Sequence, residues 1–163
     1  MKKNLCTKIM YIIHSMQCRS KGMESGKILD KQITASSKWN AHHAAHQGSL
    51  NFQEFNKKGV ARKSGSWSAR KNDKNQWLQV DFLREESVVT SVATQGRNRN
   101  PLWGAHNQWV KNYKLLYSNN EVNFEYCKDE RQNLAKVRLK NGKYIQETQV
   151  SSCIKLNMGL FVS

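Results

Sequence analysis

The residues with the most chemical capacity are aromatic rings set among cations. Trp39, Phe52, Phe55 and Trp103 fall in polar stretches that also carry Lys38, Lys57, Lys58, Arg62, Lys63, Arg97 and Arg99. A ring held at a loop tip stacks on a sugar face or enters a lipid interface, while ammonium and guanidinium groups beside it attract phosphate or sulfate. The competing assignment for Phe52 and Trp39 is structural, with each ring plugging its loop onto the body of the protein. Trp103, next to Pro101 and Leu102, is the ring most expected to face solvent.

A second grouping is His42, His43 and His46. His42 and His46 would share one face if their loop held a helical turn. A metal centre needs a third or fourth ligand, however, and there is neither an HExxH motif nor a carboxylate beside the cluster. No metal and no cofactor is therefore expected, and His42 and His43 are grouped with the ligand-binding loops. Catalytic patterns are missing as well. Gly65-Ser66-Trp67-Ser68 lacks the second glycine of a nucleophile elbow, and neither paired carboxylates nor a phosphate-cradling glycine loop occurs. The chain is not expected to be an enzyme.

These loops need a body to hold them. A chain of 163 residues is one domain's worth of material, and 38% apolar residues suffice for a core. Lys and Arg number 27 against 12 acidic residues, so the net charge of +15 favours anionic partners: nucleic acid, sulfated glycan or acidic lipid headgroups. The cations are scattered among Trp, Asn, Gln and Ser rather than collected in one run, so charge alone does not choose among these partners. No segment approaches the roughly 20 apolar residues of a membrane span. Residues 1–17 start basic and hold the apolar stretch from Met10 to Ile13. Lys8 and His14 interrupt it and no small-residue cleavage site follows, so this is read as a tail or degenerate signal segment. Cys6, Cys18, Cys127 and Cys153 are widely spaced with no C-x-x-C pair, which argues against a zinc ribbon or redox site and for a disulfide or two. Cys127, in a strand-like stretch, reads as a buried, inert thiol.

Strand-like segments run from Gln32 to Ala35, Gln76 to Phe82, Val88 to Thr94, Trp109 to Tyr117 and Asn123 to Tyr126. Leu78, Val80 and Phe82 alternate with Trp77, Gln79 and Asp81, the period of two that marks a half-buried strand, and form the expected core face. Helical periodicity is weak, so the architecture is expected to be all-β. Trp67, Trp77 and Trp109 are assigned to the core. Arg70 is expected to pair with Asp81 or Asp30 in support of the loops. Three long polar connections, roughly Ser36 to Gly48, Asn51 to Ser66 and Gln95 to Gln108, are where function should sit.

Ordered blocks along the chain match a family. Gly22 to Ile28, Asp30 to Ser37, Trp67-Ser68-Ala69-Arg70, Asn75 to Asp81, Val92 to Arg97, Asn107-Gln108-Trp109-Val110 and Tyr113-Lys114-Leu115 with Tyr117-Ser118 resemble, in sequence order, the discoidin domains, also called coagulation factor V/VIII type C domains. The resemblance covers about residues 18–128. It implies a jelly-roll β-sandwich of two antiparallel sheets over 18–130, with chain ends tied by a disulfide, Cys18 standing at the family's first cysteine and Cys153 offered as its partner. In the chain-entropy model that bridge would contribute about 4–5 kcal/mol in an oxidising compartment. Beyond about Glu130 the resemblance stops, which leaves open whether residues 131–163 complete the sandwich. The stretch from Arg99 to Gly104 reads as a lengthened loop.

The resemblance also implies an extracellular adhesion or recognition module, secreted or at the cell surface. It would bind anionic phospholipid, glycan or a receptor or matrix protein through three spike loops. The residues assigned to those loops are Lys38, Trp39, His42, His43, Phe55, Lys57, Lys58, Arg62, Arg97, Arg99, Leu102 and Trp103. Alternatives are a carbohydrate-binding lectin with a polar pocket, a nucleic-acid binder, for which no recognisable module is present, and a truncated product without independent function.

Overall fold

The computed structural model describes residues 6–13, 28–50, 52–54, 63–83, 87–97, 108–128, 136–138, 146–155 and 157–162. Ten strands occur among them: β1 (Cys6–Ile13), β2 (Ile33–Ala35), β3 (Trp67–Ser68), β4 (Trp77–Asp81), β5 (Ser87–Gln95), β6 (Asn112–Ser118), β7 (Glu125–Tyr126), β8 (Lys136–Arg138), β9 (Gln146–Lys155) and β10 (Asn157–Val162). Among the described residues helical structure is confined to single 3-10 turns at Asp30–Gln32, Ala41–His43 and Ala45–Gly48. The strands form two antiparallel sheets. One has the order β3-β1-β5-β9, and the other has the order β2-β4-β10-β6-β7, with β8 also pairing with β6.

The alternation in β4 is realised as expected. Leu78 and Val80 are wholly buried and Phe82 nearly so, while Trp77, Gln79 and Asp81 are half-buried. Ile33 of β2 and Tyr113 and Leu115 of β6 extend this face, and Val89 and Val92 of β5 and Trp67 of β3 meet it from the other sheet. Each aliphatic side chain buried in this way stabilises the fold by about 1.5–3 kcal/mol. A polar contact crosses the core between Thr94 Oγ1 of β5 and Tyr113 Oη of β6, 3.0 Å apart, so the Tyr hydroxyl is not left unsatisfied. Of the other tryptophans assigned to the core, Trp77 and Trp109 are half-buried, and Trp109 packs against the core's edge. Cys127 is a buried free thiol.

Two expected strands are shorter than the sequence predicts, and the other three differ by one residue at one or both ends. The strand expected from Trp109 begins at Asn112, because Arg97 N donates to Gln108 O at 2.9 Å and holds the preceding residues in the pole connection. The strand expected from Asn123 shrinks to Glu125–Tyr126, because Asn120 Oδ1 accepts from the backbone N–H groups of Val122 and Asn123 and closes a turn there. Strands also lie in the two regions set apart from the domain. β1 pairs with β3 and β5, β9 lies beside β5, and β10 sits between β4 and β6.

Candidate ligand-binding pole

Strand register determines which connections share an end. Ala35, the last residue of β2, pairs with Leu78 near the start of β4, and Phe161 near the end of β10 pairs with Trp77. In the other sheet Gln95, the last residue of β5, pairs with Lys8, and Cys6 pairs with Ser68. The connections leaving β2, β3 and β5 and those entering β4 and β6 therefore emerge at one pole. The turns at Leu83 and at Asn119–Asn123 lie at the other.

The first connection is tied down at its root. Ser36 N donates to Trp77 O, and Trp77 N donates back to Ser36 Oγ, each at 3.0 Å. The Ser36 and Ser37 hydroxyls both donate to the Oε1 of buried Gln76, at 2.9 and 2.6 Å. Trp67 Nε1 donates to Ser37 O at 2.8 Å, and Trp39 N to Ser68 O at 2.8 Å. A buried indole and a buried amide thus hold the backbone beneath Lys38 and Trp39. Lys38 is exposed, and Trp39 keeps half of its surface in solvent.

Beyond Trp39 the connection turns back along the body. Asn40 Oδ1 caps the first turn by accepting from His42 N and meets His43 Nδ1, both at 2.8 Å. The turn Ala45–Gly48 then packs against β1, β2 and β3, closing the gap between the edge strands of the two sheets, with Gln47 and Gly48 buried. His46 belongs to this closure. Its Nε2 lies 3.9 Å from Asp30 Oδ2 and its ring meets Phe52 edge-on at 6.2 Å. Among the described residues no three His, Cys, Asp or Glu side chains form a group able to hold a metal ion.

The second and third connections are latched to each other. Arg97 Nη2 lies 4.0 Å from Glu54 Oε2, and Arg97 Nη1 donates to Gln108 Oε1 at 3.4 Å. Both charged side chains are largely covered, Arg97 to 15% and Glu54 to 12% exposure. Ser64 N donates to His42 O at 2.8 Å, which joins the second connection to the first. Gly65 permits this packing, since a Cβ there would meet Glu54 N at 3.3 Å.

Of the ligand residues read from sequence, Lys38 and Trp39 stand together in solvent, His42 and His43 are half-buried behind them, and Arg97 is engaged in the latch. Phe55, Lys57, Lys58, Arg62, Arg99, Leu102 and Trp103 lie outside the described residues, as does Cys18. Cys153 lies on β9 opposite Val89. The expected pairing of Arg70 with Asp81 or Asp30 does not occur. Arg70 is exposed, Asp81 Oδ1 accepts from Leu83 N at 2.6 Å, and Asp30 faces His46. The β3–β4 connection, residues 69–76, was not among the expected binding loops, yet its Arg70, Lys71 and Lys74 are exposed at the same pole. A signal was available, since the matched block ending at Arg70 and the one starting at Asn75 bracket a four-residue stretch with two more cations, Lys71 and Lys74.

The comparisons with known proteins agree with this architecture. The model of the F5/8 type C domain family matches residues 32–152. The chain is 38% identical over 122 residues to human EGF-like repeat and discoidin I-like domain-containing protein 3, covering 71% of this chain and 23% of that protein. It is 32% identical over 114 residues to lactadherin of Rattus norvegicus, covering 69% of this chain and 25% of that protein. The chain thus spans about a quarter of the length of these relatives. Among solved structures it is similar to discoidin II from Dictyostelium discoideum, with a TM-score of 0.61 at 27% identity over 80% of this chain and 48% of that one.

Proposed function

The chain belongs to the F5/8 type C, or discoidin, domain family, and on that premise we propose that it is a non-catalytic, extracellular recognition module whose binding end is the pole carrying Lys38 and Trp39. Its ligand is an anionic surface, either acidic phospholipid headgroups or a sulfated or otherwise acidic glycan on a cell or matrix partner. No helix among the described residues is long and apolar enough to cross a membrane. The observation that carries the reading is the state of Trp39. Its backbone is pinned to β3 and its neighbours to Gln76 and Trp67, yet half of the ring is in water beside an exposed lysine. A large ring carried on backbone that is fixed before the ligand arrives loses less entropy on binding, which is how aromatic anchors work at recognition surfaces.

The test is Trp39→Ala, with binding measured to phosphatidylserine vesicles and to immobilised acidic glycan. We expect roughly tenfold weaker binding, the loss of about 1.4 kcal/mol, at an unchanged denaturation midpoint. Unaltered affinity for both surfaces would refute Trp39 as the anchor on which this reading is carried. Raising salt should weaken binding steeply, because exposed charges are screened within about 8–10 Å at physiological ionic strength. A lectin with a neutral polar pocket would instead keep its affinity at high salt and lose it to free sugar.

A further inference from the structure

We infer that the β3–β4 connection, residues 69–76, is a second wall of this binding end, and that the chain lying along it is a sulfated glycan. The inference rests on the pole being the ligand-binding end. Arg70, Lys71 and Lys74 are exposed on this connection and Lys38 is exposed on its neighbour. Besides the two serine hydroxyls on Gln76, Arg70 N donates to Ser37 Oγ at 3.1 Å, so the guanidinium of Arg70 and the ammonium of Lys38 rise from adjacent backbone.

Four cations face one carboxylate here, and that carboxylate is already engaged. Asp73 Oδ1 accepts from Gln76 Nε2 at 2.7 Å and from Asn75 N at 2.9 Å. Lys38, Arg70 and Lys74 form no ion pair with any described residue. Three cations without an ion-pair partner among the described residues, carried on neighbouring hydrogen-bonded connections, suit a linear polyanion. Arginine meets sulfate through two parallel N–H donors, lysine supplies point charges along the chain, and the Trp39 ring offers a face to a sugar.

A membrane fits this part of the surface less well. Insertion calls for several apolar side chains at the tips, but Trp39 is the one large exposed apolar residue on the described part of the pole. Leu29 and Leu83 are exposed at the other end of β2 and β4, and Val122 in the turn after β6. The wall instead carries Asn72 and Asn75 beside its cations, amides able to meet sugar hydroxyls.

The experiment compares two charge-matched double variants of the whole chain on immobilised heparin. Arg70→Ala with Lys74→Ala and Lys31→Ala with Lys128→Ala each lower the net charge from +15 to +13. Lys31 lies at the opposite end of β2, and Lys128 follows β7, which is at the far edge of that sheet from β2 and β4. Each cation at an anionic surface contributes about fivefold, so the first pair should weaken binding roughly twentyfold, and the slope of log affinity against log salt should fall by about two. The second pair should change affinity by less than about threefold. Equal losses in both pairs, or none in the first, would overturn the inference. Tighter binding of the native chain to phosphatidylserine vesicles or to an oligonucleotide than to heparin would overturn it also. Trp39→Ala in the same assay separates the two claims. Loss with Trp39→Ala but not with the Arg70 and Lys74 pair removes the wall and keeps the pole, whereas the reverse keeps the wall and removes Trp39 as anchor.

Discussion

Two connections at one pole treat their arginines in opposite ways. Arg97, after β5, turns its guanidinium toward Glu54 and Gln108 and is largely covered. Arg70, after β3, gives only its backbone N–H to Ser37 and leaves its guanidinium in solvent. The β3–β4 connection can leave its cations unpaired because neutral groups hold it: the Gln76 amide, the Ser36 and Ser37 hydroxyls and the Trp67 indole. The connections joined by Arg97 use a charge pair for the same purpose and so withdraw one cation from the surface. A cation paired with a carboxylate no longer adds to the local field, so the manner of tethering decides where the binding charge is found.

The sharpest way to break this contrast is at Gln76. Its side chain is buried and serves three partners, accepting from both serines and donating to Asp73. Gln76→Ala leaves two hydroxyls and a carboxylate oxygen without that partner. The expected cost is about 1–3 kcal/mol, read as a lower urea midpoint at unchanged m-value, together with weaker anion binding as Lys38 and Arg70 lose their fixed backbone. A stability loss with binding intact would show that the neutral tethers do not organise the charged wall.

Smaller and opposite effects should separate the two arginines. Arg97→Ala should cost about 1 kcal/mol, because Glu54 stays largely covered without its partner. Arg70→Ala should leave stability within about 0.5 kcal/mol while weakening heparin binding about fivefold. Should Arg70→Ala prove the more destabilising substitution, the roles of the two arginines are reversed.

The limits of the sequence reading follow the same line. The alternation of Leu78, Val80 and Phe82 is a local property of one strand, so the core face was legible without any partner. Ser36-Ser37 and Gln76 sat in blocks recognised by family resemblance, which placed them in order but not against each other. The roles of Arg70 and Arg97 were not legible, because both stand in polar stretches and only the third dimension brings Glu54 to one and Ser37 to the other. β1 and β10 escaped for a similar reason. Cys6–Ile13 and Asn157–Val162 find their partners far along the chain, at β5 and at β4 and β6, and a pairing at such separation leaves no trace in local spacing.

The smallest expected effect tests whether the wall's single carboxylate is structural or a brake on binding. The amide of Gln76, then the backbone N–H of Asn75 and the charge of Lys71, hold the Asp73 carboxyl below its ordinary value of 3.8, against a modest opposing desolvation. A pKa depressed by folding means that this contribution to stability is complete above the ordinary value and is lost only as pH falls through the lower folded-state value. The Asp73 carboxyl resonance should therefore titrate with a midpoint under 3.8, and the root of the connection should stay ordered down to that pH. Asp73→Asn keeps an oxygen to accept from Gln76 and Asn75 but removes the one negative charge among four cations. Heparin affinity at neutral pH should rise a few-fold while the urea midpoint barely moves, since near an anionic surface one unit of charge is worth about 1 kcal/mol. Weaker binding by Asp73→Asn would mean that the carboxylate's grip on Gln76, rather than its charge, governs how the wall presents Arg70 and Lys74.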